Sequence, residues 1–159
     1  MKHYTIAQIA YLAGIIDGEG SIYIGNFSRN PKTGTPYYQT NIEVTNTDEK
    51  LIDWLAINIG GRKSKYTPKQ TPKNSRRDVY RWLAHGDLVT DLSNILQPYL
   101  IIKKRQAEIM TEMRKTFSGT GAVKGKSGCQ PVTEEILRLR KSYFDEMRSL
   151  HVRNYANKL

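Results

Sequence analysis

The sequence predicts an α+β fold in the order αββαββα, followed by two further helices. Three observations carry this reading. Segments of helical period alternate with pairs of period-two segments, and the segments of each pair are separated by a stretch dense in turn formers. The strands read as having one apolar face and one face of hydrogen-bonding or basic side chains. The chain, at 159 residues and 38% hydrophobic, is long enough for one domain with a substantial core.

The first helix is predicted over Ile6 to Asp17, with Thr5 as N-cap and Ile6, Ile9, Ala10, Ala13, Ile16 and Asp17 at helical spacing. Ala10, Ala13 and Gly14 make a strip of small residues along which another helix can approach closely, beside a bulky strip of Ile9, Leu12, Ile15 and Ile16. Gly18 is the expected C-cap, in a left-handed conformation. Asp17 and Glu19 then stand at the end of the helix where the macrodipole disfavours carboxylates, by roughly 0.3–1 kcal/mol each, and a bound cation would reverse that penalty.

The first strand is predicted from Ser21 to Arg29, Ile22 and Ile24 facing the core and Tyr23, Gly25, Phe27 and Arg29 facing out. Asn30 to Pro36 is a hairpin loop. The second strand, Tyr37 to Thr45, points Ile42 and Val44 inward and Gln39, Asn41, Glu43 and Thr45 outward. Thr47 is the expected N-cap of a second helix whose buried stripe is Leu51, Ile52, Leu55 and Ile59, ended by Gly60-Gly61. Strands over Arg62 to Thr67 and Arg77 to Ala84 flank a basic loop. In the fourth strand Tyr80 and Trp82 look inward while Arg77, Val79 and Arg81 look outward. A third helix over Asp87 to Leu96 buries Leu88, Leu92, Ile95 and Leu96 and stops before Pro98. A fourth, Lys103 to Phe117, buries Ile109, Met110, Met113 and Phe117. Thr133 caps a final helix with Ile136, Leu139, Tyr143, Met147 and Leu150 as its stripe. The organisation is a core domain over 1–117, a Gly/Lys-rich loop over 118–132 and a helical extension of the same domain over 133–159.

Twenty-five Lys and Arg against 15 Asp and Glu give a net charge of +10, which selects a polyanionic partner. No run of about 18 apolar residues and no signal-peptide core is present, so no membrane partner and an intracellular location are expected. Cys129, the single cysteine, has no His or Cys neighbour and reads as neither ligand nor nucleophile.

The nonamer Leu12-Ala13-Gly14-Ile15-Ile16-Asp17-Gly18-Glu19-Gly20 resembles the signature of the LAGLIDADG homing endonucleases, with Ile15 for the second Leu, Gly18 for the variable Ala and Glu19 for the second Asp. Val44-Thr45-Asn46 resembles the end of that family's second strand. Leu96-Gln97-Pro98-Tyr99-Leu100-Ile101-Ile102-Lys103-Lys104-Arg105-Gln106-Ala107 resembles its segment between the third and fourth helices. The similarity covers about Ile6 to Met113. It implies the family's fold, with the helices as one layer on a curved four-stranded antiparallel sheet that serves as a DNA-reading saddle.

The resemblance also implies an activity. No second nonamer is present, so the chain is expected to act as a homodimer whose small-residue helices cross at the two-fold axis, with Ala10, Ala13, Gly14 and Asp17 at that junction. The implied reaction is hydrolysis of both strands of double-stranded DNA in a near-palindrome of roughly 18–22 base pairs, estimated from a strand of about 30 Å and a rise of about 3.4 Å per base pair. Glu19 and the Gly18 carbonyl are the expected ligands of Mg²⁺, with Mn²⁺ substituting and Ca²⁺ binding without supporting cleavage. Asp17 is given a structural, helix-capping role.

Asn46 is assigned to the water network, and Lys50 and Lys103 to stabilising developing charge. Asn46 and Lys50 depart from the Gln and Arg of well-known single-motif members. Tyr23, Phe27, Arg29, Gln39, Asn41, Glu43, Arg62, Arg77 and Arg81 are candidate groove contacts, with Arg toward guanine, Gln and Asn toward adenine and Glu toward cytosine. Lys69, Lys73, Lys124 and Lys126 serve phosphates or solubility. Two alternatives stay open: a maturase that binds its host intron RNA, and a DNA-binding regulator that does not cleave.

Overall fold

The computed structural model describes residues 3–27, 36–67, 77–117 and 132–151. Arg29, Lys69, Lys73, Lys124, Lys126, Cys129 and the predicted loops, except for Pro36 and Val132 at their ends, lie outside them. The described elements run α1 (Ile6–Glu19), β1 (Gly20–Phe27), β2 (Tyr37–Asn46), α2 (Glu49–Asn58), β3 (Arg62–Tyr66), β4 (Val79–His85), α3 (Asp87–Leu96), α4 (Lys104–Lys115) and α5 (Glu134–His151). The order is the predicted one. The sheet is antiparallel throughout with strand order β1-β2-β4-β3.

One face of the sheet carries the core. Ile22 and Ile24 of β1, Tyr38, Ile42 and Val44 of β2, and Trp82 and Ala84 of β4 are buried, against Leu12, Ala13 and Ile16 of α1, Ile52 and Leu55 of α2, Val89, Leu92 and Leu96 of α3, and Ile109, Met110 and Met113 of α4. The register puts Ile42 opposite Ala84 and Val44 opposite Trp82, so one apolar face runs across the inner strands. The Trp82 indole N–H donates to the Gly60 carbonyl at 2.5 Å, satisfying the one polar atom of that ring. At the β3 edge the helix-side residues are lysines. Lys63 pairs with Glu49 and Asp53 of α2, and Lys65 with Asp78 at 2.7 Å. Such charges also discourage edge-to-edge strand pairing.

Several boundaries differ from expectation for identifiable reasons. α1 runs through Gly18 to Glu19, and its C-cap is Gly20, in extended backbone with φ −85°. Gly18 is therefore an ordinary helical residue, not a left-handed cap. Asp48 rather than Thr47 caps α2, because its carboxylate accepts the Lys50 N–H at 2.9 Å. Lys103 is the N-cap of α4, one residue outside the helix. In α5 the buried positions are Arg140 and Met147, and Leu139 and Leu150 are each 42% exposed. Arg140 is drawn inward by the Thr116 carbonyl at 2.7 Å and by the Phe117 ring, which rotates the stripe away from the purely apolar pattern. Val89 and Ser93, rather than Leu88 and Ile95, complete the fully buried face of α3.

Gly20 joins α1 to β1 with no intervening loop. A Cβ there would lie 2.7 Å from the Ile16 Cα and 2.9 Å from the Ile16 carbonyl oxygen, both backbone atoms that cannot move independently. Gly20→Ala is expected to lower stability by about 1–3 kcal/mol, as overpacking does. Gly61→Ala, at φ 91° with a Cβ 2.8 Å from the Leu83 carbonyl oxygen, is expected to cost at least as much. Urea unfolding midpoints equal to that of the unaltered chain would contradict this.

Candidate active site and nucleic-acid interface

The end of α1 and the start of α4 cap one another. The Asp17 carboxylate accepts the backbone N–H groups of Ile101 and Ile102 on Oδ2 at 2.7 and 3.2 Å and that of Lys103 on Oδ1 at 2.9 Å. In return the Lys103 ammonium donates to the Ile16 and Asp17 carbonyls in the last turn of α1 at 2.8 and 2.6 Å, sharing the first with the Gly20 N–H. Both contacts also favour the helix dipoles. Burial pulls the Lys103 pKa below the ordinary lysine value, with the Asp17 charge opposing it.

The two acids of the nonamer are thus divided. Asp17 is committed to three N–H groups and caps a helix of its own chain. Glu19 is exposed, and among the described residues nothing pairs with its carboxylate. Neither the Gly20 cap nor Lys103 takes the Gly18 carbonyl, since Gly20 N–H donates to Ile15 and Ile16. No group of three or more His, Cys, Asp or Glu able to hold a metal exists among the described residues. One carboxylate with one carbonyl fits a cation that keeps most of its waters, the Mg²⁺ pattern, and leaves positions for a phosphate and a second chain.

The sheet brings Asn46 to the same place. Gly20 lies opposite Val44, so the end of β2 runs alongside the turn out of α1. Asn46 Oδ1 accepts the Asp48 N–H at 2.8 Å, which leaves its amide nitrogen as the donor. Lys50 follows in the first turn of α2 and is exposed. The small-residue strip needs one correction. Ala13 is 1% exposed, inside the core, so the free small face of α1 is Ala7, Ala10, Gly14 and Gly18.

On the open face of the sheet, Tyr23, Gln39 and Arg81 are half-buried and Phe27 and Arg62 exposed; Arg77, expected to open the fourth strand, is exposed but precedes β4, which begins at Val79. Asn41, predicted to face outward, is only 3% exposed because the central strand sets it between Tyr23 and His85. Glu43 is engaged by Tyr23 and Arg81 within the chain. Ser64 and His85 also fall on this face, beyond the residues singled out from the sequence; the alternation through Arg62 and Arg81 reaches both.

The LAGLIDADG endonuclease family model matches residues 12–117. The chain belongs to the LAGLIDADG endonuclease family. Solved members share the fold at low identity. The homing endonuclease I-CvuI, in complex with the I-CreI target in the presence of Mg with the DNA not cleaved, aligns with TM-score 0.71 and 17% identity over 94% of this chain and 85% of that one. An archaeal intron-encoded homing endonuclease complexed with DNA aligns with TM-score 0.69 and 14% identity over 96% and 89%. I-SmaMI bound to cleaved DNA aligns with TM-score 0.67 and 15% identity, covering 96% of this chain but 47% of its own. No curated protein sequence matches the chain significantly.

The division between the acids is testable by unfolding. Asp17→Ala is expected to lower stability by about 0.5–2 kcal/mol, as loss of a helix cap does. Glu19→Gln is expected to leave the urea midpoint unchanged or slightly raised, because it removes a charge the dipole disfavours. Equal losses in both variants would overturn the assignment.

Proposed function

We propose that this LAGLIDADG protein is one half of a homodimeric homing endonuclease that hydrolyses both strands of a near-palindromic DNA target of roughly 18–22 base pairs, with strands of about 3.3 Å per residue setting the span. The observation that carries the reading is the Glu19 carboxylate, unpartnered among the described residues, at the exposed end of α1, on a helix whose free face is built of small residues. The half-length coverage of I-SmaMI supports two copies acting together. The net charge of +10 suits a nucleic-acid partner.

Glu19 and the Gly18 carbonyl of each chain would hold the divalent cation, which supplies an activated water and neutralises charge building on the phosphate. The chain's own residues do the rest. Asn46 offers its amide N–H to that water or to a phosphate oxygen. The Lys103 ammonium, with two hydrogens on α1 carbonyls, has one left for the departing oxygen and holds the α1 end in register. Lys50 contributes positive charge from the first turn of α2. Gln39, Arg62, Arg77, Tyr23 and Phe27 are assigned to groove and backbone contacts.

Incubation with plasmid libraries of candidate sites is expected to give double-strand breaks in Mg²⁺ and binding alone in Ca²⁺. Glu19→Gln is expected to retain binding and lose cleavage by more than the roughly 10–100-fold that changes around a metal's ligands cost. Binding without cleavage by the unaltered chain would leave a non-cleaving regulator, and preference for structured intron RNA a maturase. Mg²⁺ or Ca²⁺ is expected to raise the melting temperature of the metal-free protein, equivalent to about 2.7 kcal/mol at a hundredfold excess over Kd, and not that of Glu19→Gln. Flat melts for both would contradict the metal site. A Cβ at Gly14 meets nothing within 4 Å in one chain. Gly14→Leu is therefore expected to fold but to sediment as a monomer, whereas a Gly14→Leu dimer would rule out α1 as the interface.

A further inference from the structure

We propose that Glu43 is a positioning residue which, together with Tyr23, presents Arg81 to a guanine in the inner part of each half-site. The inference rests on the DNA-reading function proposed above and adds which residue reads and which holds the reader. The three residues come from three adjacent strands of the open face. Ser21 lies opposite Glu43 and Thr45 opposite Arg81, so Tyr23 and Arg81 are the diagonal neighbours of Glu43, within reach for long side chains.

Their polar atoms close on one another. Glu43 Oε2 accepts the Tyr23 hydroxyl at 2.9 Å and Arg81 Nη2 at 2.6 Å. Nη2 also donates to the Tyr23 oxygen at 3.3 Å, and Glu43 Oε1 accepts the Thr45 hydroxyl at 3.3 Å. Three of the carboxylate's acceptor positions are thereby taken within the chain, which makes Glu43 a holder of Arg81 rather than a free cytosine acceptor. The carboxylate is also the less accessible partner, its side chain 21% exposed against 41% for Arg81. Among the described residues nothing takes Arg81 Nη1, and Nε is buried without a partner. The guanidinium is therefore held by one edge, with donors left over.

A partly exposed ion pair adds little to stability, so stability gives little reason for an acid at the middle of a surface meant to meet phosphates. Its effect on binding is larger. Fixing a long side chain before the encounter removes an ordering cost from the complex, and an Nη1 amino group held in one place, its two hydrogens free, discriminates the N7 and O6 acceptors of guanine where a loose cation does not. The carboxylate also cancels a charge that would otherwise bind any phosphate. Arg81 lies level with Thr45, beside the turn that carries Glu19, so the base it reads belongs toward the centre of the target.

The test is selection from a randomised DNA duplex library in Ca²⁺ with the unaltered chain, Glu43→Gln, Tyr23→Phe and Arg81→Lys, together with urea unfolding of each. The unaltered chain is expected to recover a motif with guanine at one symmetry-related pair of inner positions. Arg81→Lys and Glu43→Gln are expected to lose that preference by about 10–100-fold at the same positions and to keep the rest of the motif. Glu43→Gln is also expected to bind scrambled duplex more tightly, with a steeper salt dependence. Should Glu43→Gln fail to fold, Tyr23→Phe, which deletes a single hydroxyl, is expected to weaken the same positions by a smaller factor. A motif recovered by the unaltered chain but unchanged in Glu43→Gln and Tyr23→Phe, or altered there at positions other than those altered by Arg81→Lys, overturns this inference alone. Failure of the unaltered chain to recover any motif overturns the DNA-reading function and this inference with it.

Discussion

The reciprocal cap between Asp17 and Lys103 is the constraint on which the rest of the structure depends. A helix end leaves backbone groups without partners, and here two ends answer each other: the carboxylate of α1 takes three N–H groups at the entry to α4, and the ammonium before α4 takes two carbonyls at the exit of α1. Each side chain also sits at the dipole end that favours its charge. The contact spans 86 residues of sequence, so it ties the first element to the last helix of the core. Neither residue does this alone, because each also supplies backbone groups that the other satisfies.

That cap determines the placement of Glu19. With Asp17 held and Gly20 already opposite Val44 in the sheet, only two residues separate a clamped helix turn from a paired strand. Gly20 permits this because nothing larger than hydrogen fits beside the Ile16 backbone. Glu19 therefore stands on rigid elements from both directions, which is what a charged group needs if it is to meet a phosphate and a cation at fixed geometry. The same stretch places Asn46 across from it, since β2 ends where β1 begins.

Much of this is legible in the sequence because period and turn chemistry are local. The alternation of Ile22 and Ile24, or of Ile42 and Val44, reads the sheet's core face directly, and the element order is the observed one. The departures share a cause of another kind. Gly18 and Thr47 look like caps in the sequence but are not, because a cap is decided by which side chain reaches which N–H, and Gly20 and Asp48 reach or fit better. Arg140 escapes the pattern because a buried arginine follows its hydrogen-bond acceptors rather than the apolar period. In the site, Glu19 stands out in the sequence by its awkward charge, whereas the partners of Asp17 lie 84 or more residues away and leave no local mark. Asn41 and Glu43 face the open side as alternation demands, yet one is covered by neighbouring strands and the other is held by Arg81. Facing is a local property; exposure and engagement are not.

The composition of α1 adds the last step. Gly14 and Gly18 stand inside a helix, where each gives up about 1 kcal/mol relative to Ala, and in neither case does a neighbour in the chain exclude a Cβ. At Gly20 the chain excludes a Cβ, whereas among the described residues nothing within 4 Å does so at Gly14 or Gly18. With Ala7 and Ala10 they form one face, so a second helix could approach there to backbone contact. That approach would also bring two Glu19 carboxylates toward each other, a repulsion that grows as water is displaced. A cation between them turns the same geometry from repulsive to attractive. In the homodimer proposed above the glycines and the acid would answer one another: the small face would set how closely two chains meet, and that distance would make metal binding and pairing interdependent.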